Sequence, residues 1–325
     1  MIYPSILNVI GHTPMVALKR FNPALPFDVY AKCEMFNPTL SIKDRIVLRM
    51  INDFERRDLL KPGGTIVEAS SGNTGSSLAM LASVLGYKAL ITVPYKTSQE
   101  KVATMRLYGA KVVVSPEDVT SDAPEHYVNK AAILAQSIPN AVLLNQYDNP
   151  VNVETHFEDT AEEIWTALDG NIDCLVAAAS SGGTITGVGR YLKQKKPSIQ
   201  VFMPDPVGSV FYDCFYKHQP SAAKPYQVEG AGKDKVCRIH DFSVIDDVIQ
   251  FTDAEAFAAV RQLAKTEGIL AGGSAGGALS ILEKLSGQLL THPSPKRRLN
   301  VVVILADSGF KYLSKLSAIR NLINS

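Results

Sequence analysis

Short apolar runs rich in valine and isoleucine recur along the chain. They are Thr65–Ala69, Ala89–Pro94, Lys111–Ser115, Val142–Gln146, Cys174–Ala179, Gln200–Pro204 and Val301–Ala306. Continuous rather than alternating apolar character is what a strand needs when both faces of its sheet are covered. Stretches with helical spacing separate them: Lys43–Leu59, Ser76–Leu85, Ser98–Leu107, Glu125–Ser137, Thr160–Leu168, Gly187–Gln194, Ala254–Thr266 and Ala275–Leu289. Thr97-Ser-Gln-Glu100 and Thr252-Asp-Ala-Glu255 each fit a capping box, in which a hydroxyl and a carboxylate satisfy free helix-start amides. The alternation predicts an α/β fold of mostly parallel twisted sheets covered by helices. No internal repeat, low-complexity tract or linker marks a lobe boundary.

In such sheets ligands sit beyond the carboxyl ends of strands, where glycine-rich turns lead into helices. The turns of that kind are Ser70-Ser-Gly-Asn-Thr-Gly75, Ser180-Ser-Gly-Gly-Thr-Ile-Thr-Gly187 and Ala271-Gly-Gly-Ser-Ala-Gly276. Helix-start amides, adjacent glycines and the hydroxyls of Ser180, Ser181 and Thr184 suit a phosphate. They equally suit a tight strand-to-helix turn. The hydroxyls and amides of Ser70–Gly75 could meet a carboxylate, or Asn73 or Ser71 could simply cap the helix. Lys43 stands at an expected helix start, the wrong end for a cation. An ordinary exposed lysine is the default there, and a lysine consumed as a Schiff base is the exception. Neither GxGxxG nor GxxxxGK[ST] occurs, which weakens dinucleotide and nucleoside-triphosphate readings.

Composition narrows the function classes. The 325 residues suit two lobes, and 46% apolar with 20% charged residues is an ordinary globular balance. A net charge of +1, with only short basic clusters at Lys193–Lys196 and Lys296–Arg298, gives no footprint for nucleic acid. The apolar start, Met1–Ile10, lacks the basic flank of a signal peptide, and no run is long enough to cross a bilayer. Cys33, Cys174, Cys214 and Cys237 form no CxxC pair and read as free thiols of a reducing cytoplasm, three of them buried. The histidines lack metal-ligand spacing, so no metal is expected.

Together, Lys32-Cys-Glu-Met-Phe-Asn-Pro-Thr-Leu-Ser-Ile-Lys-Asp-Arg-Ile46, Ser70–Gly75, Ser180–Gly187 and Gly272-Gly-Ser-Ala-Gly276 resemble the fold-type II pyridoxal-phosphate enzymes. Within these the chain looks most like the cystathionine β-synthase and cysteine synthase family, from Gly11-His-Thr-Pro14 to Asp307-Ser-Gly-Phe-Lys-Tyr312. The resemblance implies two lobes like those of the tryptophan synthase β chain. A smaller, mobile substrate lobe would span 43–150, and a larger cofactor lobe 1–42 plus 151–325. It also implies a role for each matching position. Lys43 would carry pyridoxal 5'-phosphate and shuttle the α-proton. Asn73 would meet the ring hydroxyl, and Ser180, Ser181, Gly182, Gly183 and Thr184 the phosphate. Ser274 would meet the pyridine nitrogen. Ser70, Ser71 and Thr74, helped by Gln146, would hold the substrate carboxylate. The implied reaction is replacement of the β-substituent of L-serine or an O-activated L-serine through an aminoacrylate. The nucleophile would be a thiol: homocysteine, sulfide or cysteine. The implied protein is a cytoplasmic homodimer with small amino-acid substrates, no nucleic acid and no membrane.

Asp122-Ala-Pro-Glu-His126, Asp205-Pro-Val-Gly-Ser209 and Val228-Glu-Gly230 lean toward the cystathionine β-synthase core, without the regulatory domains or haem segment of longer members. Several positions depart from the family pattern. Thr39 and Leu40 stand where glycines are usual, Ser70 replaces a threonine, and Gly230-Ala-Gly-Lys233, Pro204 and Ala306 also differ. Lys233 could favour an acidic second substrate or simply face solvent. A synthase using an amine nucleophile, of diaminopropionate type, and a non-catalytic sensor of the same fold stay open as alternatives.

Overall fold

A computed structural model describes residues 2–120, 122–289 and 297–314. Two compact units divide the chain: Met1–Gly11 with Asn37–Asn152, and His12–Phe36 with Val153–Ser325. The lobe expected over 43–150 falls inside the first unit, which also takes in residues 1–11, 37–42 and 151–152.

In chain order the elements open with β1 (Met15–Ala17), β2 (Phe27–Cys33), α1 (Lys43–Arg56), β3 (Thr65–Ala69) and α2 (Asn73–Leu85). Next come β4 (Lys88–Val93), α3 (Gln99–Leu107), β5 (Lys111–Val114), α4 (Tyr127–Ser137), β6 (Ala141–Leu143) and α5 (Val151–Thr155). They continue with α6 (Ala161–Ala167), β7 (Cys174–Val176), α7 (Gly183–Lys195), β8 (Gln200–Pro206), α8 (Phe211–Lys217) and β9 (Asp247–Phe251). Last are α9 (Asp253–Glu267), α10 (Gly273–Ser280), α11 (Leu282–Leu289) and β10 (Leu299–Leu305).

The first unit holds a four-stranded sheet in the order β5-β4-β3-β6, every pairing parallel. Ile46, Met50 and Ile51 of α1 and Leu78 and Leu81 of α2 bury one face against Ile66 and Ile91. Ala131 of α4 meets Val67 and Leu90 on the other. The second unit holds six strands in the order β1-β2-β10-β7-β8-β9, parallel except for β1 on β2. Both are the helix-covered parallel sheets that the apolar runs predict.

Where the structure differs from the sequence reading, the reasons are local. Strand β2 escapes the pattern because it carries Asp28 and Lys32. Lys32 is only 1% exposed, and its ammonium is closed by Glu163 at 2.5 Å and the Thr13 carbonyl at 2.6 Å. Strand β9, Asp247-Val-Ile-Gln-Phe251, is likewise interrupted by polar residues. Helices α2 and α7 start earlier than their apolar spacing suggests, so part of each glycine-rich turn is a first helical turn. The stretch expected as one helix over Ala275–Leu289 breaks at Ile281, where the Ser280 hydroxyl donates back to the Gly277 carbonyl at 2.9 Å. Ser98 rather than Thr97 caps α3, whereas the Thr252 capping box closes α9 as expected. Two cysteines are buried, Cys33 and Cys174, not three.

Most of the basic cluster residues are paired within their own unit, and Lys195 lies over the Tyr191 ring. Lys193 pairs with Asp246, Lys196 and Arg297 with Asp173, and Arg298 with Asp28. Lys296 lies outside the described residues. Among the described residues no helix is long and apolar enough to cross a membrane. Thr252→Ala removes the hydroxyl half of the α9 capping box, leaving the Glu255 carboxylate on the residue 252 N–H, and should cost about 1 kcal/mol, read as a lower urea midpoint with an unchanged slope.

Candidate active site

In the first unit, Lys43 is the first residue of α1. The loop before it is held by Asp44, which is fully buried. One Asp44 oxygen accepts the Thr39 N–H at 2.7 Å; the other accepts the hydroxyls of Ser77, at 2.5 Å, and Thr39. A carboxylate with this many donors is well satisfied and favours the helix start it occupies. Thr39 therefore uses the side chain that a glycine would lack. Leu40, in contrast, sits at φ 60, where a side chain costs about 1–2 kcal/mol. The family's usual glycine removes that strain.

The turn Ser70–Gly75 leaves β3 and enters α2. Ser70 Oγ accepts the N–H groups of Gly72 at 3.2 Å and Gly75 at 2.9 Å. Neither Asn73 nor Ser71 caps the helix, because Asn73 already lies inside it. With its oxygen receiving two amides, the Ser70 hydroxyl keeps its proton to donate. Ser71 is exposed and Thr74 buried. The Thr74 hydroxyl donates to Gln146 Oε1 at 2.7 Å, and Gln146 Nε2 donates to Glu68 Oε1 at 2.9 Å. Glu68 Oε2 also accepts the Asn145 N–H at 2.8 Å. The turn thus rests on a buried carboxyl that sequence reasoning missed. Its signal was a glutamate inside the apolar run Thr65-Ile-Val-Glu-Ala69.

In the second unit, Ser180–Thr184 joins β7 to α7. Gly182 is the N-cap at φ 89, and no side chain of that residue closes the helix start. A Cβ there would stand 2.5 Å from His240 Nδ1, so glycine is required twice over, by conformation and by space. His240 stacks on Phe211 at 4.8 Å, and burial pushes its imidazole down to about 4. Ser274 lies in the first turn of α10 and is 2% exposed. Its hydroxyl makes no hydrogen bond to any described residue. The loop Val228–Gly232 links the two features: Gly232 N–H donates to the Ala179 carbonyl at 2.7 Å, and a Cβ on Gly230 would lie 3.4 Å from Ser274 Oγ. Lys233 is half-buried and anchored by its backbone to Ser209 Oγ and Val210.

Lys43, Ser70, Ser71, Asn73, Thr74 and Gln146 thus belong to one unit, and Ser180, Ser181, Gly182, Gly183, Thr184 and Ser274 to the other. The N-cap residues of α2, α7 and α10 are glycines without a capping side chain and none of these helices carries an acidic residue in its first turn, while Ser70 Oγ meets one α2 amide, that of Gly75. Their starts therefore favour anions. The donors fit pyridoxal phosphate: a glycine-hinged helix start for the phosphate, and in Ser274, 2% exposed in the first turn of α10, a hydroxyl that can donate to a ring nitrogen. Among the described residues no cluster of histidine, cysteine or carboxylate could hold a metal.

Fold and donors define an α/β protein built to hold a phosphorylated ring. Comparison with known proteins agrees. The family model described as "Pyridoxal-phosphate dependent enzyme" matches residues 6–307. The chain belongs to this family, in its fold-type II branch of cystathionine β-synthase and cysteine synthase relatives. It is 43% identical to the cystathionine beta-synthase of Apis mellifera over 97% of this chain, but spans only 61% of that protein. It is 37% identical to the O-acetylserine dependent cystathionine beta-synthase of Bacillus subtilis (strain 168), covering 95% of this chain and 96% of that one. The crystal structure of O-ureido-L-serine synthase superposes with a TM-score of 0.87 at 35% identity, covering 97% of this chain and 94% of that one.

Burial pushes the Glu68 carboxyl up to about 8 from 4.5, against the pull of Gln146 and Asn145. The folded state therefore binds a proton that the unfolded chain releases between those values. This contribution is fully present below 4.5 and is lost as pH rises through about 8. Glu68→Gln should flatten that slope in urea midpoints measured across the interval. Identical pH profiles for the two proteins would contradict it.

Proposed function

We propose that the protein catalyses β-replacement on L-serine or an O-activated L-serine, with a thiol (homocysteine, sulfide or cysteine) as nucleophile. The observation that carries this reading is Ser274. A carboxylate at the pyridine nitrogen would hold a proton there and deepen the ring as an electron sink, whereas a hydroxyl donates to a neutral nitrogen. Bound pyridoxal phosphate supplies that sink for the electrons of the α-carbon. A shallower sink favours loss of a β-leaving group over transamination.

The chain's own residues divide the remaining work. Lys43 would hold the cofactor covalently and then move the α-proton at its Nζ. Asn73 would orient the ring through its hydroxyl, and the Ser180–Thr184 turn would bind the phosphate. The Ser70 proton, left free to donate by the two amides on its oxygen, would point to the substrate carboxylate with Ser71, and Thr74, whose hydroxyl proton goes to Gln146, would meet it through its backbone N–H. Gln146 has its amide hydrogens directed at Glu68 and the Ala69 carbonyl, so its part is to fix Thr74. Lys233 would favour a nucleophile bearing a second carboxylate.

The O-acetylserine-dependent relative, matched over nearly its whole length, supports an activated serine donor. The likeness to O-ureido-L-serine synthase, whose product carries its substituent on oxygen, supports a nucleophile other than a thiol on the same donor, the wider class to which the second reading, an amine nucleophile, belongs. Mass spectrometry of products from serine and O-acetylserine, each paired with homocysteine, sulfide, cysteine and glutamate, separates the two. A thioether or thiol amino acid is the expected product. Exclusive carbon–nitrogen products would replace the thiol reading, and no product from any pair would remove the catalytic one.

A further inference from the structure

Lys101 stands in the first turn of α3, its backbone N–H donating to Ser98 Oγ at 3.4 Å. A cation at a helix start opposes the dipole, and lysine is among the residues least often buried. Yet Lys101 is 5% exposed. Its side chain lies across Gly72. A Cβ on that glycine would stand 3.2 Å from Lys101 Cδ and Nζ and 3.3 Å from Cε. The ammonium therefore ends against the turn Ser70–Gly75 rather than in water. Gly72 leaves the room that the lysine stem occupies.

Hydroxyls and amides are neutral donors, and a carboxylate leaving water needs a compensating charge as well. Helix α2 brings no acid to its first turn that would cancel one. We propose that Lys101 is a substrate-binding residue whose ammonium supplies the positive charge that holds an amino acid's α-carboxylate at the Ser70–Gly75 turn. This rests on the reading of that turn as the carboxylate site. Sequence patterning hid the residue, because a lysine three positions into a capped helix looks like an ordinary solvated one.

The test titrates the cofactor-loaded protein with L-serine and with L-serinamide, which lacks the carboxylate charge, following the cofactor's absorbance. Lys101→Met keeps most of the stem and removes the charge. It should weaken L-serine binding by about tenfold or more and leave L-serinamide within about twofold. Lys101→Arg should bind L-serine nearly as wild type does. Equal weakening of both ligands by Lys101→Met would make Lys101 a packing residue and overturn the proposal. So would unchanged L-serine binding, or equal losses in the Met and Arg variants at unchanged melting temperature. Should Lys101→Met not fold, Lys101→Gln serves the same comparison. Thr74→Ala is the control on the underlying reading. If Thr74→Ala weakens L-serine and Lys101→Met does not, this inference alone falls. If wild type fails to distinguish L-serine from L-serinamide, the carboxylate reading falls and takes the inference with it.

Discussion

Amide groups at the start of an α-helix have no partner within the helix and must find one elsewhere. This constraint organises the molecule. Helices α3 and α9 meet it with their own residues, Ser98 and Thr252 with Glu255. Helices α2, α7 and α10 have glycine at the N-cap and no side-chain cap on it. Each of these follows a glycine-rich turn, and none carries an acid in its first turn. Part of the donor set is already met locally, Gly75 N–H by Ser70 Oγ and Gly183 N–H by Ser181 Oγ, and the other first-turn amides stay oriented for a ligand anion.

Holding such turns open requires support from below, and buried carboxyls provide it in the first unit. Asp44 gathers the Thr39 amide and the Thr39 and Ser77 hydroxyls, fixing the approach to Lys43. Glu68 directs the Gln146 amide, and Gln146 in turn sets the Thr74 hydroxyl. Each acid receives a donor on both oxygens, and a buried polar network with its partners in place rigidifies a site. In the second unit the Val228–Gly232 loop has the related task of joining Ala179, the residue before the Ser180–Thr184 turn, to the neighbourhood of Ser274.

Much of this was legible from residue order alone. The apolar runs located seven strands, including β3 and β7, whose carboxyl ends bear the decisive turns. Of the lost strands, β2 hides Lys32 in an ion pair with Glu163 and β9 alternates with polar residues, while β1, Met15-Val-Ala17, is too short to announce itself. The turns themselves could be read because serine, threonine and glycine have few other reasons to cluster at a strand end. Their supports could not. Glu68, Asp44 and Lys101 are charged residues whose burial depends on contacts from distant segments, and no local period announces it. Leu40 was visible as a departure from a family glycine, but its left-handed backbone was visible only in three dimensions.

The account turns on Lys43, a cation at a helix start, where it opposes the helix dipole unless its charge is consumed as a Schiff base. Borohydride reduction of the purified protein, followed by peptide mapping, examines that residue directly. The account predicts a reduced pyridoxyl adduct on the peptide containing Lys43 and no other. An adduct on a different lysine, the buried Lys101 included, or no adduct at all, would contradict it.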